Sequence, residues 1–271
     1  MTAPDAAIEA VATTETLLVA LDFDGTLSPL VDEPLTARMT AGARAVVDEL
    51  AALPRTTVAL VSGRTLADLR VIAEHGDDSP IWLAGSHGAE FRMPGEQTTV
   101  ASDAAADTAD GTPADITDET ALRDRLTAEI ARAVAEIPGV RIEPKQYGLG
   151  VHTRTADAGG AEAARAAADR LVQAQAPTWR RRTGHDIVEY SFRHEGKDSA
   201  VRHLRERLGA TGVLFAGDDV TDEDALASLE PGDLGVRVGG GETVAALTVS
   251  DIDGFVEVLE TVARLRAAHT V

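Results

Sequence analysis

Residues 17–27 read LLVALDFDGTL: five apolar residues, Leu17 to Leu21, run straight into Asp22, Phe23, Asp24 and Gly25. An unbroken apolar run closed by acids and a glycine is the pattern of a strand buried on both faces of a parallel sheet. In open sheets of that kind the ligand crevice lies beyond the carboxyl ends of the strands. Two carboxylates one residue apart at such an end suggest divided labour. One, Asp22, is placed to attack phosphorus and form an aspartyl-phosphate. The other, Asp24, is placed to protonate a leaving oxygen and later to activate water. Gly25 permits close approach of backbone to phosphate oxygens. A D-x-D-G tetrapeptide alone also reads as simple turn chemistry; its position after an apolar strand and before Thr26-Leu27 is what gives it weight.

Working outward, the spacing predicts a helix over 38–53, with Val46, Val47, Leu50 and Leu53 on one side. A strand is predicted over 56–63 (TTVALVSG), a helix over 65–73, and a strand and loop over 81–88 (IWLAGSHG). Strands alternating with helices argue for an α/β fold, a parallel sheet wound on both faces in the Rossmann-like manner. Residues 94–117 break the pattern, being rich in Ala, Asp, Thr and Gly, and read as a linker or mobile loop. An α+β block follows: a helix over 118–136, strands around RIEPKQYG and LGVHTRT, an Ala-rich helix over 159–175, and strands around TWRRRT and HDIVEYSF. The βα alternation resumes with KDSAVRHLRERLG and VLFAGDD, then a helix from Thr221, GVRVG and a last helix near 254–267. The parse is a catalytic core of residues 1–93 plus 191–271, interrupted by an inserted α+β domain of residues 94–190.

Composition narrows the chemistry. The chain of 271 residues has no cysteine, which removes disulfides, thiolate metal sites and cysteine nucleophiles. With 45 acidic against 25 basic residues the net charge is −20, a field that repels nucleic acid and anionic membranes. The N-terminal segment carries acids and no basic stretch before an apolar run, and no apolar run is long enough to cross a bilayer. A cytoplasmic protein acting on a small molecule is expected, with the oligomeric state open and compatible with a monomer. The same field repels a phosphorylated substrate, so positive charge must be gathered locally. Among the 25 basic residues only Lys145 and Lys197 are lysines.

Three further stretches carry candidate chemistry. Gly217-Asp218-Asp219-Val220-Thr221-Asp222 again follows an apolar strand, and carboxylates from two strand ends make an oxygen site suited to Mg²⁺. Asp218 is the first candidate ligand there, Asp222 the next and Asp219 a weaker one; an acidic helix start accounts for part of the run. Ser62-Gly63-Arg64 closes the second strand and offers a hydroxyl and backbone N–H groups to a phosphoryl group, although from these three residues alone a helix cap by Thr65 or Ser62 is the favoured reading. Lys197, where the core pattern resumes, is placed to offset charge shared by Asp22 and a phosphate.

The order DFDGT, SGR, Lys, GDD, each at a strand end or helix start, resembles the haloacid-dehalogenase superfamily. That resemblance implies a haloacid-dehalogenase core with an inserted cap. It implies Asp22 as nucleophile, Asp24 as acid/base, Ser62, Gly63 and Lys197 as phosphate-binding, and Mg²⁺ held by Asp22, the Asp24 carbonyl and Asp218. A finer resemblance covers most of the chain: LDFDGTLSPL, VSGR, AGSHGAE and GDDVTDEDAL are similar to the trehalose-6-phosphate phosphatase family. Glu143-Pro144-Lys145 resembles that family's E-x-K on a cap strand, His152-Thr153-Arg154 its His-Tyr-Arg, and Glu189 the Glu of its Glu-Val-Arg-Pro segment. By that resemblance Glu143, Lys145, Glu189 and Arg64 are the substrate-binding candidates, and the expected partner is a sugar phosphate. Tyr190-Ser191-Phe192, Thr153 and Asp198 depart from the family pattern, so a phosphatase for another disaccharide or sugar phosphate is the alternative. A phosphoacceptor signalling domain is about half this length and lacks the second Asp of the pair. A non-catalytic sugar-phosphate sensor would not need every catalytic motif that is present.

Overall fold

The protein is described by a computed structural model that covers residues 3–100, 113–184 and 186–269. In chain order the first part forms α1 (Ala3–Ala12), β1 (Leu17–Leu21), α2 (Ala41–Ala52), β2 (Thr56–Val61), α3 (Leu66–Ile72), β3 (Trp82–Gly85), β4 (Glu90–Arg92) and β5 (Thr99–Val100). Next come α4 (Pro113–Ala133), β6 (Arg141–Lys145), β7 (Gly148–His152), α5 (Ala158–Gln175), β8 (Arg180–Gly184) and β9 (Ile187–Ser191). The chain closes with α6 (Lys197–Leu208), β10 (Gly212–Gly217), α7 (Glu223–Ala227), β11 (Leu234–Val238), β12 (Leu247–Val249) and α8 (Ile252–His269). Contacts divide it into two compact units, Met1–Ala101 with Glu195–Val271, and Ser102–His194.

The first unit is an eight-stranded sheet in the order β12-β11-β10-β1-β2-β3-β4-β5. From β12 to β3 every pairing is parallel, and β4 and β5 add antiparallel at one edge. Along β1 the side chains alternate between two cores. Leu17, Val19 and Leu21 pack with residues of α1, α2, α3 and α8, whereas Leu18 and Ala20 pack with residues of α6 and α7. Burial on both faces is why β1 has no polar residue, and the doubly wound α/β architecture follows from it. Thr40 and Thr65 cap α2 and α3, each hydroxyl accepting from a backbone N–H at 3.2 Å. At the end of the sheet opposite the site, the fully buried Arg266 of α8 donates to the carbonyls of Ala12, Thr14, Glu15 and Arg55. Its guanidinium thereby satisfies a cluster of backbone acceptors that the ends of helix and strand leave over.

The stretch expected as a 94–117 linker is more ordered at both ends: 99–100 is strand β5, and 113–117 is the start of α4. Its middle, 101–112, lies outside the described residues. In the second unit an antiparallel sheet, β6-β7-β9-β8, is covered on one face by α4 and α5. Leu149, Val151, Val188 and Tyr190 point into the core beneath those helices. No described helix is long and apolar enough to cross a membrane.

Candidate active site

The carboxyl ends of β1, β2 and β10, side by side in the sheet, gather the core candidates. The Asp22 N–H donates to Ala216 O at 3.0 Å, which ties the loop after β1 to the end of β10. Gly25 turns the chain with φ 81°, and a Cβ there would stand 2.0 Å from Asp218 Oδ2. Any side chain at Gly25 would therefore displace that carboxylate.

Asp22 and Lys197 are both buried, 5% and 4% exposed. Lys197 Nζ lies 2.6 Å from Asp22 Oδ1 and 2.6 Å from Asp222 Oδ1. Burial works against the lysine's charge, but Asp22 and Asp222 more than offset it and hold its pKa above the ordinary value. Burial also pushes the Asp22 carboxyl well above the usual carboxylate range; Lys197 opposes this, and Asp222 and Asp218 add to it. Asp218 is pushed up to about 6 by burial and by Asp222.

Asp22, Asp218 and Asp222 each offer an oxygen within 4.8 Å of the others. Lys197 pairs with Asp22 and Asp222 of the three carboxylates, and Asp218 Oδ1 is buried without a hydrogen-bond donor. An all-oxygen cluster with excess negative charge and an orphaned oxygen fits a hard divalent cation, so the donor set suits Mg²⁺. Asp219 stands apart: its carboxylate accepts from Val220 N at 2.7 Å and caps the turn that carries Asp222 back under Gly217.

Asp24 points elsewhere. Its two oxygens are gripped by Arg64, Nε to Oδ2 and Nη2 to Oδ1, both at 2.6 Å. Arg64 also donates to Pro34 O at 2.8 Å. The guanidinium, expected at the substrate, is thus engaged with the expected acid/base. Ser62 is buried, and its Oγ accepts from Arg64 N at 3.2 Å, which shapes the turn. The His87 ring occupies the place of a side chain at Gly63, 2.6 Å from where a Cβ would be. Ser86 and His87, both at positive φ (50° and 58°), bind this turn through Ser86 N to Arg64 O at 2.6 Å and His87 N to Ser62 O at 2.9 Å. Buried Glu90 accepts from Ser86 Oγ at 2.8 Å and from Leu66 N at 3.2 Å, holding the AGSHGAE loop against the start of α3.

The cap candidates lie in the second unit. Glu143 and Lys145 sit on β6 and Glu189 on β9, with Gly150 of β7 in register between Glu143 and Glu189. Lys145 Nζ pairs with Glu189 Oε1, and His152 Nε2 is 2.5 Å from Glu143 Oε2. That hydrogen bond is the leading cause that holds the Glu143 carboxyl below the usual range, against the opposing effect of burial.

Sequence reading gave Asp222 second place and passed over Glu90 and Arg237. A signal existed for each. Asp219 and Asp222 have capping-box spacing, Glu90 is an acid in a glycine-rich loop between apolar strands, and Arg237 is a charge inside the apolar run of β11. Arg237 is 7% exposed and reaches Asp219 O at 2.8 Å and Glu223 Oε1 at 3.2 Å, bracing the loop that carries the acidic cluster.

The comparisons with known proteins agree with one another. The chain is 38% identical over 222 residues to a trehalose-phosphate phosphatase of Mycolicibacterium paratuberculosis, covering 79% of this chain and 51% of that protein. It is 35% identical over 232 residues to the Mycobacterium ulcerans trehalose-phosphate phosphatase, covering 83% and 54%. The chain spans about half the length of these curated relatives. The fold is that of the Candida albicans trehalose-6-phosphate phosphatase C-terminal domain, with TM-score 0.79, 19% identity and 97% of each chain covered. A haloacid dehalogenase-like hydrolase from Bacillus subtilis shares it at TM-score 0.58 and 17% identity, over 90% of this chain and 98% of that one. The sequence model of the family described as Trehalose-phosphatase matches residues 20–251, from the strand that carries Asp22 to the start of the last helix, and this protein belongs to that family.

Proposed function

We propose that the chain hydrolyses the phosphate monoester of a disaccharide phosphate, trehalose 6-phosphate, with Asp22 as nucleophile. The observation that carries this reading is the placement of Asp22, a buried carboxylate at the end of the central strand with an ammonium 2.6 Å from one oxygen. An Asp22 oxygen forms a bond to phosphorus while the ester P–O bond breaks, and Asp24 gives its proton to the departing sugar oxygen. Asp24 then takes a proton from water, whose oxygen attacks phosphorus and breaks the bond to Asp22. Phosphate leaves and both carboxyl groups return to their starting states. The Ser62 hydroxyl and the Gly63 N–H donate to phosphoryl oxygens, and Lys197 offsets the charge that Asp22 and the phosphate share. Arg64 competes for Asp24 in the free protein; a phosphoryl or sugar oxygen that draws the guanidinium away frees the acid.

Mg²⁺ held by Asp22, Asp218 and the Asp24 carbonyl supplies charge compensation for the dianionic substrate when bound. On the cap, Glu143, Lys145 and Glu189 accept from and donate to sugar hydroxyls. The trehalose-phosphatase family match supports this choice of substrate over other disaccharide phosphates. A net charge of −20 supports a small-molecule partner over nucleic acid or an anionic membrane surface.

The test is phosphate release from trehalose 6-phosphate beside glucose 6-phosphate and sucrose 6-phosphate, for wild type and Asp22→Asn, with EDTA and with Mg²⁺ restored. Trehalose 6-phosphate should be turned over fastest, and EDTA should silence the enzyme reversibly. Asp22→Asn should lose at least a thousandfold, on the order expected for removing a covalent nucleophile. Turnover of that variant within tenfold of wild type would sink the assignment of Asp22. Preference for another sugar phosphate would retain the chemistry and replace the substrate.

A further inference from the structure

His152 has no part in the chemistry proposed above. It lies at the end of β7, in register with Arg141 on β6 and Ile187 on β9, one row from Glu143, Gly150 and Glu189. Residues directly paired across a sheet share a face, and alternate residues of a strand do too. Glu143, Lys145, Gly150, His152 and Glu189 therefore occupy one face of the second unit's sheet. Leu149, Val151, Val188 and Tyr190 occupy the other, beneath α4 and α5.

Among the charged groups of the first face are the donor–acceptor pairs Lys145 with Glu189 and His152 with Glu143, close to Gly150. A Cβ at Gly150 would meet Ile187 Cδ1 at 3.2 Å, Lys145 Cε at 3.4 Å and His152 Nε2 at 3.6 Å. The missing side chain is what lets both donors converge over the middle of the sheet. The two carboxylates differ in their support. Glu189 is 12% exposed at its side chain and Glu143 is 36% exposed, so Glu143 has less packing to fix its rotamer. Of the cations near it, Lys145 is paired with Glu189, and Arg141 is 3.9 Å away and mostly in solvent. The 2.5 Å contact to His152 Nε2 is the one short hydrogen bond that orients it among the described residues.

We propose that His152 is a positioning residue for sugar recognition: it holds Glu143 Oε2 and so presents Oε1, ionised and oriented, to a hydroxyl of the substrate. This rests on the reading of Glu143 as a sugar contact. A carboxylate fixed in advance loses less rotamer entropy on accepting a hydroxyl than one that must be ordered at the moment of binding.

The experiment measures kcat and KM for trehalose 6-phosphate and for p-nitrophenyl phosphate, which has no sugar hydroxyl. The variants are His152→Ala, His152→Gln, Glu143→Ala and the double variant His152→Ala/Glu143→Ala. His152→Ala should lower selectivity for the disaccharide phosphate over the aryl phosphate about tenfold, mainly through KM, as expected for one charge-assisted hydrogen bond. His152→Gln, whose amide N–H can replace Nε2 as donor, should recover most of that loss. In the Glu143→Ala background the His152 substitution should cost nothing further on trehalose 6-phosphate, because its only route to the substrate is gone. Additive losses in the double variant, or equal losses on both substrates in His152→Ala, would overturn the positioning role. If Glu143→Ala itself leaves selectivity unchanged, the reading of Glu143 as a sugar contact falls, and the role of His152 falls with it. A selective Glu143→Ala beside an unselective His152→Ala refutes the positioning role alone.

Discussion

Asp22 and Glu143 are both carboxylates beside a cation, yet their surroundings push them in opposite directions. For Asp22 burial is the largest influence and outweighs the attraction of Lys197. For Glu143 the hydrogen bond from His152 comes first and burial second. A desolvated carboxylate among like charges suits a nucleophile or a cation ligand; a charged, half-exposed one suits a hydroxyl. The Glu143 shift has a consequence for stability. Its folded pKa lies below its ordinary value of 4.5, so its contribution is present above about pH 4.5 and is lost as pH falls through the folded value. With 36% of the side chain exposed, solvent screening keeps that contribution below about 1 kcal/mol. Glu143→Gln should therefore be slightly less stable than wild type in urea at pH 7, with the gap narrowing as the pH falls below 4.5. A gap that stays constant as the pH is lowered through the acid range would mean that the loss comes from packing and not from the charged hydrogen bond.

At this scale the legible residues were those that follow an apolar strand directly. Asp22, Ser62 and Asp218 each lie just past a strand end, where one-dimensional order and position in the sheet coincide. The grip of Arg64 on Asp24 spans forty residues of sequence and no local pattern announces it. Asp222 and Glu90 were obscured for a related reason, since each depends on a loop folding back on its own strand.

Among the elements, the periodic segments were legible and the short edge strands were not. β1 and β10 carry no polar side chain and β2 is apolar from Val58 to Val61, because both faces are covered, a signal that four to six residues suffice to carry. β4, β5 and β12 have three, two and three residues, too few for any period, and α1 falls in a segment whose sequence attracts attention only for what it lacks. Tyr190 shows how an element's packing explains a departure from the family pattern. It is 2% exposed on β9, and its hydroxyl donates to Asp169 Oδ1 on α5 at 2.6 Å, where Arg181 Nε also donates at 2.7 Å. Its ring helps build the core between sheet and helix, on the face opposite Glu189. Tyr190→Phe should cost the cap about 1–2 kcal/mol, the low end for a hydrogen bond to a charged group, because Asp169 keeps Arg181 and water. Trp179 lies in the same core and Trp82 in the other unit, so urea unfolding followed by fluorescence in a Trp82→Phe background reads the cap alone. Selectivity among sugar phosphates should stay within twofold. An unchanged midpoint would show that the hydroxyl is dispensable, and altered selectivity would show that Tyr190 acts beyond its own core.

For the whole molecule the decisive quantity is a net charge of −20 on 271 residues. Each carboxylate near the surface raises the energy of its neighbours, and compaction brings them closer than they are in the unfolded chain. Part of the ion pairing that would offset this is solvent-exposed, such as Arg55 with Glu15, with side chains 64% and 70% exposed, and pairs of that kind contribute little. Added salt therefore has two opposed effects: it weakens the few favourable pairs and screens the many unfavourable ones. With acids outnumbering bases 45 to 25, screening of repulsion should win. The Debye length shrinks from about 30 Å at 0.01 M to about 3 Å at 1 M, so the long-range repulsion that spans the molecule goes first, while adjacent ion pairs survive longest. The thermal midpoint should rise steadily as KCl increases from 0.01 M to 1 M, by several degrees if the gain is about 1–2 kcal/mol. The same screening should lower KM for a dianionic sugar phosphate at fixed Mg²⁺. A charge-reversed variant with exposed glutamates changed to lysine should show a smaller rise, which separates screening from salting-out of apolar surface. A midpoint that falls with KCl in the wild type would mean that local ion pairs, and not the overall field, govern the stability of this fold.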